Sequence, residues 1–355
     1  MTVVPFHDLR REACEVEGSL RATFDTILAG GRFIGGEPVA SFERAFAALC
    51  GTEHAVGVGS GTEAIAVGLR SLGVGPGDEV VTAANTCVPT VAGIALTGAT
   101  PVLADVDPHT LTLSPDSVVA ALTPRTRALV PVHLYGRRAP MEELMPLARD
   151  RGLVVLEDAA QGHGLRLSGD AAAFSFYPTK NLGALGDAGA VVTSDADVAD
   201  VARRLREYGQ TPDRVAHLRA GQSRLDTLQA AVLLAKLPSL AQWNARRRAL
   251  AERYTQALAD TPVTLLDGSG EHVHHVFVVR STDRDALRDT LRRAGVETLV
   301  HYPLAVHQHP AWRELDRPGA LDESERAAAE VVSLPLYPQL TDNEADAVIA
   351  AMVAA

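Results

Sequence analysis

Over roughly the first 240 residues, short apolar runs rich in β-branched residues alternate with longer stretches in which apolar positions recur every three or four residues. The runs at 54–58, 79–83, 101–105, 128–132 and 153–157 are apolar at most positions, as strands buried on both faces must be. Between them the helical period predicts helices over 62–72, 88–97, 115–122 and 140–151. This alternation implies an α/β fold with a mixed, mostly parallel sheet between helices. Two more strands are expected at 171–176 and 189–193. From residue 223 a long helical stretch runs to about residue 259, with Pro238 as a kink, and reads as a spine joining two domains. Beyond it a strand (273–280), a helix (284–294), a strand (296–301), a loop rich in proline and histidine and helices over 322–332 and 342–353 make a smaller α/β unit. The expected division is a large domain over 1–240 and a small C-terminal domain over 241–355.

Composition narrows the class. With 46% hydrophobic and 22% charged residues, and every apolar run interrupted by Gly, Pro or charge, the chain reads as soluble and globular. The N-terminus lacks a basic segment followed by an apolar core, and the three cysteines are too widely spaced for a disulfide framework, so a cytoplasmic protein is expected. A formal net charge of −11 argues against general nucleic-acid binding, which needs a positive field. One bound nucleotide would need only a local positive site.

Candidate chemistry gathers at strand ends. Glu157-Asp158-Ala159-Ala160-Gln161 closes a strongly apolar strand, where open α/β sheets hold their ligands. Lys180 lies 22 residues after Asp158, in Ser175-Phe-Tyr-Pro-Thr-Lys-Asn181, within a nearly uncharged stretch that would desolvate its ammonium and lower its pKa. A buried carboxylate and a lone lysine suit pyridoxal phosphate (PLP): the lysine forms a Schiff base with the aldehyde, and the carboxylate keeps the pyridine nitrogen protonated. Asp158 reads equally well as a helix N-cap. The cluster Gly57-Val-Gly-Ser-Gly-Thr62 follows a strand and opens a helix, which makes an anion cradle from Ser60, Gly61 and Thr62, with Ser175 in reach, or simply a tight turn. A dinucleotide reading is weaker, because Asp78 and Glu79 precede the strand that a ribose-binding acid should follow.

Taken with further motifs, the chain resembles the DegT/DnrJ/EryC1/StrS family of PLP-dependent nucleotide-sugar aminotransferases, of the aspartate-aminotransferase-like fold type I. The resemblance is carried by Gly35-Gly-Glu-Pro-Val-Ala-Ser-Phe-Glu43, Gly75-Pro-Gly-Asp-Glu79, Pro131-Val-His-Leu-Tyr-Gly136, Glu157-Asp-Ala-Ala-Gln-Gly-His-Gly164, the Lys180 segment, Ser223-Arg-Leu-Asp226 and Ser333-Leu-Pro-Leu-Tyr-Pro338. It implies that Lys180 bonds the cofactor and moves the proton, that Asp158 pairs with the pyridine nitrogen, that Gln161 contacts the ring 3-oxygen, and that Ser60, Gly61, Thr62 and Ser175 surround the phosphate. It also implies a homodimer with active sites at the subunit interface, where Gln222, at a position usually Asn in the family, reaches the partner's phosphate. Cys87 stands where many relatives carry an aromatic on the ring. Because some relatives with histidine at the lysine position are dehydratases, Lys180 favours transamination, from L-glutamate through pyridoxamine phosphate to a keto group of a dTDP- or UDP-linked deoxysugar. The overall look favours C3 amination of a dTDP-3-keto-6-deoxyhexose; C4 amination, a cyclitol ketone and a non-catalytic sensor are the alternatives. His163, Tyr177, Tyr208, Arg224, His301, Tyr302 and His307 are substrate candidates. His272, His274 and His275 have no cysteine nearby in sequence and read as ordinary polar or substrate-facing histidines, so no metal is expected, and strand spacing would set His274 and His275 on opposite faces. Arg246 to Arg248 read as a solvated helix face, with diphosphate binding as the rival.

Overall fold

A computed structural model describes residues 3–315 and 319–355. Its main sheet has seven strands: β1 (His54–Val58), β2 (Glu79–Ala83), β3 (Thr100–Ala104), β4 (Thr126–Val130), β5 (Val154–Asp158), β6 (Ala171–Ser175) and β7 (Gly189–Thr193), in the order β1-β7-β6-β5-β4-β2-β3. Every neighbouring pair is parallel except the two made by β7. Period-two alternation sends successive side chains to opposite faces. Val56, Val80, Ala128, Val130, Leu156 and Ala171 pack under the helices Gly61–Ser71 and Ala196–Leu205. Val81, Leu129 and Val155 face the helix Met141–Asp150, while Ala172, Phe174 and Val192 face Glu37–Cys50 and Thr227–Lys236. Two buried faces account for the near-continuous apolar runs in the sequence.

The C-terminal part differs more from expectation. The spine is two helices, Thr227–Lys236 and Leu240–Leu258, separated by a 3-10 turn, Leu237–Ser239, that contains Pro238. The strand expected over 273–280 is only Phe277–Arg280 (β9). Its first half instead runs irregularly beneath the main sheet, where the Val273 and His275 N–H groups donate to Gly136 and Tyr135 carbonyls and His274 has a positive φ of 46°. The His272 and His274 rings stack 3.8 Å apart, while the His275 ring turns elsewhere, to Asn181. Residues 296–301 form isolated bridges, Val4 with Val296 and Leu299 with Ser333, and no strand. The helix expected over 322–332 ends at Glu330, because the β-branched pair Val331-Val332 starts β10 (Val331–Leu334). With β8 (Thr264–Leu265), β9 and β10 make a three-stranded antiparallel sheet. Sequence reading also passed over the helices Leu9–Glu15, Glu17–Gly30 and Glu37–Cys50.

The first residues pack with the last. Val4 is buried among Tyr254, Leu291, Val332 and Val348. Behind it, Glu12 meets Lys236, both almost fully buried, at 2.7 Å, and the same ammonium donates to the Gly183 carbonyl at 2.8 Å. The N-terminal helix is thereby pinned to the segment that carries Lys180. Arg247 is not part of a solvated face: it is 1% exposed and donates to the carbonyls of Leu336 and His275. Lys236→Met should therefore destabilise the fold by about 3–5 kcal/mol, because it leaves the buried Glu12 carboxylate only the His7 ring, 3.8 Å away, and Lys236→Met with Glu12→Leu should regain most of that loss. Urea unfolding of the two variants measures both.

Candidate active site

Parallel strands ending side by side leave a crevice at their C-terminal edge, and the candidate site occupies it. A cavity of about 360 Å³ is lined by Ser60, Gly61, Thr62, Thr86, Cys87, Thr90, Asp158, Gln161, Ser175, Tyr177, Lys180, Asp187, His275, His301 and Tyr302 among others. Ser60, Gly61, Thr62, Cys87, Asp158, Gln161, Ser175, Tyr177, Lys180, His301 and Tyr302, named from sequence, thus share one cavity.

Asp158 is the last residue of β5 and 4% exposed. Its backbone is fixed by Pro131 and His133, its Oδ1 accepts from the Ala160 N–H at 3.1 Å, and its Oδ2 accepts from the Thr90 hydroxyl at 2.8 Å. Burial raises its pKa above the usual carboxylate value, and the Thr90 hydrogen bond pulls the other way. Next to it Glu157 points into the opposite face and is bonded by the His133 ring at 2.8 Å and by the Ser168 and Gly169 N–H groups. Lys180 follows β6 in a turn closed by its own N–H on the Tyr177 carbonyl, and among the described residues no carboxylate lies within ion-pair distance of its ammonium. Burial lowers its pKa, opposed by Cys87 and Asp158. A lowered pKa favours the neutral amine that imine chemistry requires.

Ser60 caps the helix Gly61–Ser71 by accepting from the Glu63 N–H at 3.2 Å. Gly61 has to be glycine: a Cβ there would stand 2.5 Å from that of Ser175, and one on Gly189 would collide with the Ser60 carbonyl. Helix N–H groups, two serines and a threonine form an anion cradle without a side-chain cation. A phosphate ester fits that donor set, a pyridine nitrogen fits the buried Asp158 carboxylate, and an aldehyde fits the unpaired amine of Lys180. The cavity's residues therefore fit PLP. Gln161 accepts from the Tyr135 N–H and donates to the Tyr302 hydroxyl at 3.2 Å, so its amide orientation is fixed. His301 is held at Nδ1 by Ser333, and burial, then Lys180, lowers its pKa to about 4.

Other candidates lie elsewhere. His163 is fully buried among Phe46, Phe174 and Phe176 and faces away from the cavity's lining, a core histidine whose pKa burial lowers to about 3. His307 is buried against Glu325, outside the lining. Tyr208 and Arg224 pair with one another at the surface, the guanidinium 5.2 Å over the ring and bonded to Glu207. Gln222 is exposed and bridges Glu207, away from its own chain's cavity. Sequence reading missed Thr86, Thr90 and His275 as wall residues. The two threonines stand four apart across the start of the helix Val88–Ala95, a spacing that puts them on one side; nothing local distinguishes His275 from its neighbours.

A model of the DegT/DnrJ/EryC1/StrS aminotransferase family matches residues 15–353. The dTDP-3-amino-3,4,6-trideoxy-alpha-D-glucose transaminase of Streptomyces venezuelae is 45% identical, over 98% of this chain and 95% of its own. A crystal structure of S. venezuelae DesV superposes with a TM-score of 0.96 at 44% identity, over 99% of this chain and 98% of that one. NtdA from Bacillus subtilis, solved with bound cofactor PMP, gives a TM-score of 0.93 at 32% identity, over 99% and 85%. Gly61→Ala should push Ser175 out of the cradle and weaken PLP binding to cofactor-free protein by about 10-fold or more, the scale of one overpacked methyl; a spectrophotometric titration measures it.

Proposed function

The chain belongs to the DegT/DnrJ/EryC1/StrS aminotransferase family, and from that premise we propose that it is a PLP-dependent aminotransferase of nucleotide-linked keto-deoxysugars. The proposed reaction moves the amino group of L-glutamate to C3 of a dTDP-3-keto-6-deoxyhexose. Relatives named for 3-amino dTDP-sugars support the carbon and the nucleotide. The observation that carries the reading is the meeting in one cavity of a half-buried Lys180, with no carboxylate at ion-pair distance among the described residues, and a buried Asp158.

The bound cofactor supplies an electron sink that lets a C–H bond beside nitrogen break. Lys180 has the side-chain reach and the lowered pKa to hold the cofactor and, once released, to take up and return that proton at Nζ. Asp158 would keep a proton on the cofactor's ring nitrogen by facing it with a carboxylate. Ser60, Gly61, Thr62 and Ser175 would hold the phosphate, Gln161 would serve the ring oxygen, and Cys87, whose thiol burial keeps protonated, would offer the cofactor a small apolar group. Tyr177, His301 and Tyr302 form the substrate side. The proposed assembly is a cytoplasmic homodimer in which the exposed Gln222, with Tyr208 and Arg224 beside it, serves the partner's cavity.

A screen of keto-sugar nucleotides against the pyridoxamine phosphate form, with product regiochemistry read by NMR, tests the substrate. C4 amination alone would overturn the C3 assignment. Purified protein should show the absorption of a lysine-bound cofactor that bleaches with glutamate, and Lys180→Ala should show neither that absorption nor turnover. Asp158→Asn should keep the cofactor but lower kcat on the order of 10²–10³-fold, the scale of one lost electrostatic contact to the reacting system; steady-state kinetics decides.

A further inference from the structure

Asp158 sits in surroundings that oppose its charge, and the groups facing it offer little relief. Lys180, from the turn after β6, is itself pushed toward the neutral amine by burial. Cys87 and Tyr302, from the helix start after β2 and from the loop after residue 300, are both held protonated by burial. His133, after β4, is committed at both ring nitrogens: Nδ1 accepts from the Ala139 N–H at 3.1 Å, so Nε2 carries the proton and donates it to Glu157. No positive side chain forms an ion pair with Asp158 among the described residues.

What does touch the carboxylate is a directed pair of hydroxyls. Thr90 spends its single proton on Asp158 Oδ2, at 2.8 Å, so in its 2.7 Å contact with Thr86 it must accept, and Thr86 donates. Thr86 and Thr90 are 2% and 1% exposed. Donors arranged head to tail polarise one another, and the hydrogen bond to the ionised oxygen is the strong type. The Ala160 N–H serves the other oxygen.

We propose that Thr90, backed by Thr86, is a positioning residue that keeps Asp158 ionised and fixes the plane in which its carboxylate meets the cofactor. This rests on the role given above to Asp158. A merely structural threonine would affect stability alike whatever stands at position 158. A threonine acting through the carboxylate has its effect only where that carboxylate exists.

The test is a double-mutant cycle. Thr90→Val, which keeps shape and removes the hydroxyl, and Thr90→Ser, which keeps the hydroxyl, are combined with Asp158 and with Asp158→Asn. Thermal unfolding of cofactor-free protein is followed from about pH 5 to about pH 8, alongside the pH–rate profile and the visible pH titration of the loaded enzyme. Because burial raises the folded-state pKa of Asp158, its charge weighs against the fold as pH rises. The deficit of Thr90→Val should therefore be largest at the alkaline end and shrink toward acid. In the loaded enzyme Thr90→Val should lower kcat about 10- to 100-fold, the range for one hydrogen bond to a charged group, with KM little changed. It should also move the acid limb of the rate profile to higher pH, and Thr90→Ser should restore both. Equal effects of Thr90→Val with Asp158 intact and in the Asp158→Asn background, or a folded Thr90→Val enzyme with an unmoved acid limb, overturn the proposal. The two roles separate, since full turnover in Asp158→Asn overturns the ring-nitrogen role alone, while the cofactor-free cycle reads the Thr90–Asp158 coupling whether or not that role holds.

Discussion

Asp158 is a charge-bearing side chain 4% exposed at the end of a strand buried on both faces, and much of the surrounding architecture answers to it. Its neighbours in sequence alternate between faces, so Glu157 must be satisfied separately on the opposite side, by His133 and two backbone N–H groups. Parallel pairing to β4 and β6 brings the helix start after β2 and the turn after β6 to the same edge of the sheet. The cavity wall follows from that convergence. A carboxylate so placed is costly unless something stays close to use it, which is why the site consists of short contacts from several chain segments and not of one loop.

Legibility in the sequence followed locality. Buried strands declare themselves through unbroken apolar runs, and β1 to β7 lie within two residues of where the pattern set them. Ser60, Gly61 and Thr62 were readable because a glycine cluster between strand and helix has few physical reasons to exist, and the uncharged stretch around Lys180 was readable for the same kind of reason. The C-terminal layer was harder. Residues 331–332 continue the apolar pattern of the helix before them, and their β-branched side chains together with pairing to β9 make them a strand. Residues 272–276 look extended, but their hydrogen bonds go to Tyr135 and Gly136.

The histidines show the same limit from the other side. His163 lies two residues after Gln161 in the motif that carries Asp158, yet the intervening turn sends it into a cluster of phenylalanines while Gln161 stays in the cavity wall. His301 and His307, six residues apart in one loop, part in the same way, one lining the cavity and the other buried against Glu325. A side chain's direction there depends on contacts far along the chain, which no local pattern records. Thr90 was overlooked for a related reason: a threonine near a helix start is ordinary, and its meaning comes from a residue 68 positions away.

Val4, buried between Val296 and the helices Leu240–Leu258 and Asp342–Val353, has a consequence for how the molecule is made. On the ribosome the main sheet has all its strands once residue 193 has emerged, and its covering helices follow soon after. The layer that receives Val4 exists only when β10 and the last helix have left the tunnel. During synthesis Val4 is therefore made long before the layer that buries it, and its contacts can form only after that layer has emerged.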